Sequence, residues 1–210
     1  MKHHIFDLDG VLADSMTKWA GYWEDALREE GVDVPEDLIK IITPLGYKKA
    51  AEYIVDTFNL KYTPTELLKW VNDTATKKYE TEIELKPFVK EYLTKLKDSG
   101  CRLHVLTASP HINTDPCLKR NGVFDMFDNV WSTDDLNLPK SDVEIYHKVA
   151  TLIGAKMSEI TFYDDNILNL KTSVLAGIKT VAIYDETSKT DRKEIESFVD
   201  TYAESFKDLL

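Results

Sequence analysis

The sequence predicts an α/β protein with a doubly wound sheet of parallel strands, interrupted after its first strand by an all-helical domain. Three observations predict this fold. A strand-like run opens the chain, and a purely helical pattern follows it to about residue 85. Helices and strands then alternate to about residue 184. Such alternation is typical of βαβ units in a parallel sheet.

The first element is a strand over residues 2–6, which ends in the sequence DLDG. Two acids, Asp7 and Asp9, stand one residue apart at its end, and Gly10 follows them directly. A single acid at a strand end can simply satisfy a turn. Two acids followed by glycine favour a group of side chains gathered around a charged ligand.

Residues 15–85 carry helical patterns only, and we interpret them as a domain inserted into a core domain of residues 1–14 and 86–210. The helical runs cover residues 16–27, 35–42 and 50–58. Gly31 suits the position after the first of these helices. The sequence Thr63-Pro64-Thr65-Glu66 combines a capping box with proline at the first helical position, which predicts the start of a further helix.

From residue 87 onward, helices and strands alternate. Helices are predicted over 88–97, 116–120, 143–153 and 167–176, and the strands that follow them over 102–106, 130–131, 160–163 and 180–184. In open parallel sheets, ligands bind outside the carboxyl ends of the strands. The residues at those ends are therefore the candidates for a functional site.

Four such positions carry residues suited to chemistry. Besides the acids after the first strand, Thr107 follows the second strand, Lys140 lies in the loop NLPKSD ahead of a helix, and Asp164 and Asp165 follow the strand EITFY. Because these ends share one edge of the sheet, we expect the side chains to converge there.

The residue types themselves indicate phosphoryl transfer. Clustered carboxylates repel one another unless a cation neutralises them, and an oxygen-rich cluster suits Mg²⁺. Lys140 and the Thr107 hydroxyl suit anionic oxygens, as in a phosphate group. Asp7 is a candidate nucleophile toward phosphorus, and Asp9 a candidate to protonate the leaving oxygen and later deprotonate water.

These motifs resemble those of the haloacid dehalogenase superfamily. The sequence FDLDGVLADS is similar to the first motif, DxDGT/V, with Asp7 and Asp9 in register. Thr107 in VLTAS is similar to the Ser/Thr of the second motif, Lys140 to the lysine of the third, and YDDN to the acidic fourth. The segment NLKTSVLAGIKTVAI is similar to the helix and strand that follow.

The resemblance implies a Rossmann-like core with a helical cap of the first type, as in phosphoglycolate-phosphatase-like and β-phosphoglucomutase-like enzymes. It implies that Asp7 is the nucleophile and an Mg²⁺ ligand. Asp9 would be the acid/base and would bind Mg²⁺ through its backbone carbonyl. Asp165 would bind the metal, and Asp164 takes a place where many relatives carry a Glu.

The resemblance also implies how phosphate is held. Thr107 and Lys140 would bind it, aided by backbone N–H groups near Leu8 and Ala108. In the cap, Lys48 and Lys49 stand near the position of a loop that touches substrate in related caps. Two solvated helix lysines explain that pair equally well.

Two departures from the family pattern leave the substrate open. The second motif reads TASP rather than the commoner TNS, and KSDVEIY lacks the usual prolines after the lysine. The function expected is an Mg²⁺-dependent phosphatase that hydrolyses a small phosphorylated metabolite through an aspartyl-phosphate intermediate. The alternatives are a phosphosugar mutase, a phosphonate hydrolase that uses a cap lysine, and a non-catalytic phosphometabolite-binding protein.

Charge and composition exclude other classes. A net charge of −11 disfavours binding to nucleic acid or to an anionic membrane, since both need clustered basic residues. No stretch approaches the length of a membrane span, and the start lacks the apolar region of a secretory signal, so we expect a cytoplasmic protein. The oligomeric state, monomer or homodimer, stays open.

Overall fold

The structure, a computed structural model, describes residues 1–42 and 45–210, which form two compact units. The core unit comprises Met1–Met16 and Ile83–Leu210, and the inserted unit comprises Thr17–Glu82. None of the described helices is long and apolar enough to cross a membrane.

The inserted segment is helical throughout its regular elements. Its helices are α1 (Met16–Glu29), α2 (Leu38–Ile42), α3 (Gly46–Phe58) and α4 (Pro64–Thr81). The predicted capping box opens α4, because the Thr63 hydroxyl accepts from the Glu66 N–H and the Glu66 carboxylate accepts from the Thr63 N–H. The buried side chains of α4 recur at helical spacing, which lets one face of the helix pack inside the unit: Leu67, Val71, Ala75 and Tyr79.

The core unit is built on a parallel sheet. Its strands are β1 (His3–Phe6), β2 (Arg102–Thr107), β3 (Asn129–Ser132), β4 (Ile160–Asp164), β5 (Lys179–Ile183) and β6 (Thr201–Ala203). They lie in the order β3-β2-β1-β4-β5-β6, and all the pairings are parallel. The doubly wound α/β fold predicted from the sequence is therefore confirmed. The chain adds β2 and β3 on one side of β1 and then crosses to β4 on the other side, which places the switch point between β1 and β4.

The helices that connect these strands are α5 (Val89–Asp98), α6 (His111–Arg120), α7 (Thr133–Leu136), α8 (Val143–Ile153), α9 (Ile167–Leu175) and α10 (Arg192–Glu196). Helix α8 has the predicted bounds, since Asp142 caps its start and Gly154 ends it at φ 66°. Helix α6 begins five residues before the prediction of 116–120, because Pro116 lies inside it rather than at its start. The short elements α7, α10 and β6 were not predicted.

The central strand β1 is buried along its whole length, although half of its residues are histidines. The Phe6 ring stacks on Tyr163 with centroids 4.2 Å apart, and Ile5 joins the apolar cluster on the other face. His4 is 8% exposed, and its Nδ1 lies 2.7 Å from the Tyr163 hydroxyl. The Tyr163 hydroxyl thus satisfies one ring nitrogen of His4 inside the core.

Burial lowers the pKa of His4 to about 4, so the folded state resists protonation of this ring. In the unfolded chain the ring takes up a proton near pH 6.5. The unfolded state therefore binds more protons between these values, and the free energy of unfolding falls as the pH drops through that window.

We expect His4→Gln to flatten this pH dependence, because an amide cannot titrate there. Between pH 7 and pH 4, the wild-type protein should lose about 2–3 kcal/mol more of its unfolding free energy than the variant does. Urea unfolding at each pH measures this difference. The matched change His147→Gln, at an exposed position on α8, should leave the wild-type slope unaltered. Parallel profiles for wild type and His4→Gln would contradict the assignment.

Candidate active site

Asp7 lies at the carboxyl end of β1, where the sheet pairing holds its backbone. Its N–H donates to the Tyr163 carbonyl at 2.9 Å, and the residue is only 6% exposed. The Leu8 N–H, expected to face a phosphate, donates to Oδ1 of Asp7 itself at 2.8 Å. The carboxylate is therefore fixed by the strand that carries it.

Gly10 closes the tight turn that follows. Its φ is +74°, a conformation that favours glycine, and its N–H donates to the Ala13 carbonyl at 3.1 Å. A Cβ at this position would lie 2.8 Å from the carboxylate carbon of Asp165. Glycine thus allows the turn after β1 to approach the acid that follows β4.

Lys140 lies between the ends of two neighbouring strands. Its Nζ is 2.6 Å from Oδ2 of Asp7, at the end of β1, and 2.8 Å from Oδ2 of Asp164, at the end of β4. The Tyr146 hydroxyl donates to the Lys140 carbonyl at 2.9 Å, which fixes the backbone of the loop ahead of α8. The lysine is 5% exposed, so this is a buried ionic cluster.

Burial governs the titration of these groups. It raises the pKa of Asp7 to about 7, although Lys140 pulls in the other direction. Burial, with the negative charges of Asp164 and Asp7, also raises the pKa of Asp165 well above its ordinary value. For Lys140, the two carboxylates outweigh burial and hold its pKa above its ordinary range. The cluster is therefore short of positive charge.

The acids of this cluster fit a hard cation. Asp7, Asp164 and Asp165 each offer a carboxylate oxygen, and these oxygens lie within 4.8 Å of one another. Oxygen donors at that spacing suit Mg²⁺, and a divalent ion would offset the repulsion that raises the pKa of Asp165. The donor set thus fits the metal that the sequence predicts.

Asp164 differs from the other two acids, because protein donors already engage both of its oxygens. Oδ1 accepts from the Asn166 N–H at 2.8 Å, and Oδ2 accepts from Lys140. The Asn169 amide donates to both oxygens at 3.2 Å. Asp164 is fully buried, so its evident task is to anchor Lys140. As a metal ligand it stays a prediction.

Asn166 caps α9 directly after these acids. Its side chain accepts from the N–H groups of Leu168 and Asn169. Helix α9 therefore begins directly after the acids at the end of β4.

Thr107 ends β2 and Ala108 follows it, at the same edge of the sheet. The Thr107 hydroxyl oxygen accepts from the Ser109 N–H at 3.0 Å, which fixes its rotamer. A pocket of about 230 Å³ opens at this edge. The predicted residues that line it are Asp7, Asp9, Thr107, Ala108, Lys140 and Asp165.

Two hydroxyls that sequence reasoning missed hold the Asp9 carboxylate. Ser15 donates to Oδ1 and Ser109 donates to Oδ2, each at 2.5 Å. Ser109 is the serine of TASP, which the sequence showed only as a departure from the family motif. Its place one residue beyond Ala108 at a strand end was the available signal.

The loop after β5 was missed as well. Thr187, Ser188 and Asp191 line the same pocket, together with Asn169 of α9. The strand β5 was predicted, and its carboxyl end shares the edge of the sheet that carries the site. The topological rule that selected the other strand ends therefore applies to this loop too.

Lys48 and Lys49, predicted to touch substrate, lie on α3 of the inserted unit. Both side chains are exposed. Their part in binding phosphate stays a prediction.

The chain resembles known proteins over most of its length. A model of the haloacid dehalogenase-like hydrolases matches residues 4–183. The protein YhcW of Bacillus subtilis is 26% identical over 191 residues, which cover 90% of this chain and 86% of that protein. A phosphorylated carbohydrates phosphatase of Thermotoga maritima is 22% identical over 181 residues, which cover 86% of this chain and 84% of the relative.

A solved structure shares the fold. It is described as a predicted phosphoglycolate phosphatase from Haemophilus somnus, and it superposes with a TM-score of 0.81 at 22% identity. The match covers 100% of this chain and 96% of the other.

We expect Gly10→Ala to weaken Mg²⁺ binding about tenfold or more, because the added Cβ must displace the Asp165 carboxylate. Calorimetric titration with Mg²⁺ measures this loss without any assay of activity. Gly177→Ala is a matched control, since Gly177 also has a positive φ, of +77°, but nothing lies within 4 Å of its added Cβ.

Both glycine variants should lower the melting temperature by several degrees through backbone strain. Only Gly10→Ala should also lose metal affinity. Equal Mg²⁺ affinities in the two variants would mean that Asp165 does not bind the ion.

Proposed function

The chain belongs to the haloacid dehalogenase-like hydrolases, and we propose that it is an Mg²⁺-dependent phosphatase that acts on a small phosphorylated metabolite. One observation carries the proposal. Two carboxylates from the end of one strand, Asp7 and Asp9, line a single pocket, and a buried lysine lies 2.6 Å from the first of them. A nucleophile, a proton carrier and a phosphate-binding cation are thus available at one place.

In the proposed reaction, an oxygen of Asp7 attacks phosphorus and the bond from phosphorus to the leaving oxygen breaks. Asp9 gives its proton to that oxygen, which leaves as an alcohol. A water molecule then attacks the phosphorus of the aspartyl phosphate while Asp9 takes up its proton. Inorganic phosphate leaves, and both carboxylates return to their starting state.

In this proposal Lys140 and Thr107 hold the phosphoryl oxygens during both steps. The lysine already contacts Asp7, so a phosphoryl group bonded to that carboxylate would lie beside a buried positive charge. Asp7 and Asp165, with the backbone carbonyl of Asp9, would hold Mg²⁺. When bound, the ion would offset negative charge on the transferring group.

The named relatives support the phosphatase over the alternatives. One is called a phosphorylated carbohydrates phosphatase, and it is similar to this chain along nearly its whole length. The fold is common to phosphatases and mutases, so it does not favour the mutase. Release of inorganic phosphate separates the two reactions, because a mutase retains the phosphoryl group on its substrate.

We expect Asp7→Asn to abolish phosphate release, with a loss of about 1,000-fold or more, because an amide is a poor nucleophile. The assay is phosphate release from phosphorylated sugars, sugar alcohols and short-chain acids, with Mg²⁺ and with EDTA. Activity should require Mg²⁺.

The control is Asp98→Asn, which removes one exposed carboxylate at the end of α5. This helix end leads into the start of β2, so it lies at the opposite edge of the sheet from the pocket. The control should keep wild-type turnover. Undiminished turnover in Asp7→Asn would rule out the proposed nucleophile.

We expect Ser109→Ala to lower kcat about tenfold or more with little change in KM, because Asp9 loses a hydrogen bond that orients its carboxylate. Ser109→Thr keeps a hydroxyl and should recover part of the loss. Steady-state kinetics of both variants measure the effect. A rise in KM with kcat unchanged would show instead that Ser109 acts through substrate binding.

A further inference from the structure

The loop after β5 is held rigidly by a buried acid at its start. Asp185 is 3% exposed, and its Oδ2 accepts from the Lys86 Nζ at 2.9 Å. Its Oδ1 accepts from the Thr187 N–H at 3.0 Å and from the Thr187 hydroxyl at 2.7 Å. The Ser188 N–H donates to the Asp185 carbonyl at 3.1 Å. The loop therefore presents its side chains in a fixed arrangement.

Three of those side chains form one wall of the candidate active site. Thr187, Ser188 and Asp191 line the pocket that holds Asp7 and Lys140. Asp191 precedes α10, yet its carboxylate makes no capping hydrogen bond to that helix. The carboxylate is thus not required for the local backbone structure.

The pocket is strongly acidic. Among the described residues that line it are four carboxylates, from Asp7, Asp9, Asp165 and Asp191, and one amine, from Lys140. That amine already contacts Asp7 and Asp164.

The neighbouring sequence carries three cations, and none of them lines the pocket that the structure describes. Lys189 contacts Glu186, and Arg192 contacts Glu196 at 2.8 Å and also Glu204. Lys193 is exposed on α10. The wall formed by Thr187, Ser188 and Asp191 therefore offers a bound substrate hydrogen-bond acceptors and negative charge, without a cation.

Such a wall discriminates by charge. A hydroxyl on the leaving group can donate to the Asp191 carboxylate, whereas a second anionic group would be repelled by it. We propose that Asp191, on the wall shared with Thr187 and Ser188, is a specificity-determining residue that selects monophosphates of neutral, hydroxyl-bearing molecules against those with a second anionic group. This inference rests on the proposed phosphatase function.

The test uses two pairs of substrates, and within each pair the second compound carries one additional negative charge. Hydroxyethyl phosphate is compared with phosphoglycolate, and sorbitol 6-phosphate with gluconate 6-phosphate. In each pair a terminal CH₂OH group of the first compound is a carboxylate in the second. In whichever pair it hydrolyses, the wild-type protein should show the higher kcat/KM for the compound that carries a hydroxyl in place of the carboxylate.

Asp191→Asn should lower the ratio of the two kcat/KM values, hydroxyl compound over carboxylate compound, about fivefold or more, because the carboxylate that repels the second anionic group is removed. The control Asp98→Asn makes the same change in net charge at the opposite edge of the sheet, and it should leave the preference unaltered. Melting temperatures of both variants show that they are folded.

Two results would overturn the inference while leaving the phosphatase intact. One is a wild-type preference for the carboxylated member, and the other is an unchanged preference in Asp191→Asn. Hydrolysis of none of the four compounds, nor of any other in the phosphate-release panel, would overturn the proposed function itself, and the inference with it.

Discussion

The site depends on the pair of buried ionic contacts that Lys140 makes with Asp7 and Asp164. The lysine lies between Asp7 and Asp164, which end two adjacent strands, so one positive charge joins the carboxyl ends of β1 and β4. A buried charge without partners would cost several kcal/mol, and removing either acid would leave the lysine poorly compensated. Asp164, which accepts hydrogen bonds from the Asn169 amide on both of its oxygens, holds the lysine on the side away from solvent. Asp7 is left to face the pocket.

The close approach of two turns follows from the same arrangement. Lys140 bridges the ends of the paired strands β1 and β4, and Asp165 lies so near the first turn that a Cβ at position 10 would collide with its carboxylate. The acids cannot move apart, because each is held by the backbone of its own strand. Burial, together with their mutual repulsion, therefore raises the pKa of Asp165, and both are physical reasons that the site fits a divalent cation.

The sequence predicted the residues whose position depends on topology alone. Thr107 ends a strand, and Asp7 and Asp165 directly follow strands. The alternation of strands and helices, with the rule for parallel sheets, therefore suffices to bring them together. The same rule draws attention to Ser109, which lies just beyond the end of β2, but it does not reveal what Ser109 or Ser15 contacts. Their contacts with Asp9 depend on how two turns fold across the end of the sheet. The strand β6 was missed for another reason: with three residues, it is too short for its periodicity to be recognised.

Chemistry and specificity have separate supports in this fold. The groups of the proposed reaction are held by β1, β4 and Lys140, whereas the wall that carries Asp191 is held by the ion pair of Asp185 with Lys86. We therefore expect substitutions at Thr187, Ser188 or Asp191 to change the charge that a substrate meets without disturbing Asp7, the proposed nucleophile. Lys86 also donates its backbone N–H to the Leu12 carbonyl, so the same residue ties this wall to the segment that leads away from Asp9. A loop anchored this way can vary in sequence while the catalytic geometry stays fixed, which makes it a suitable place for one fold to acquire different substrates.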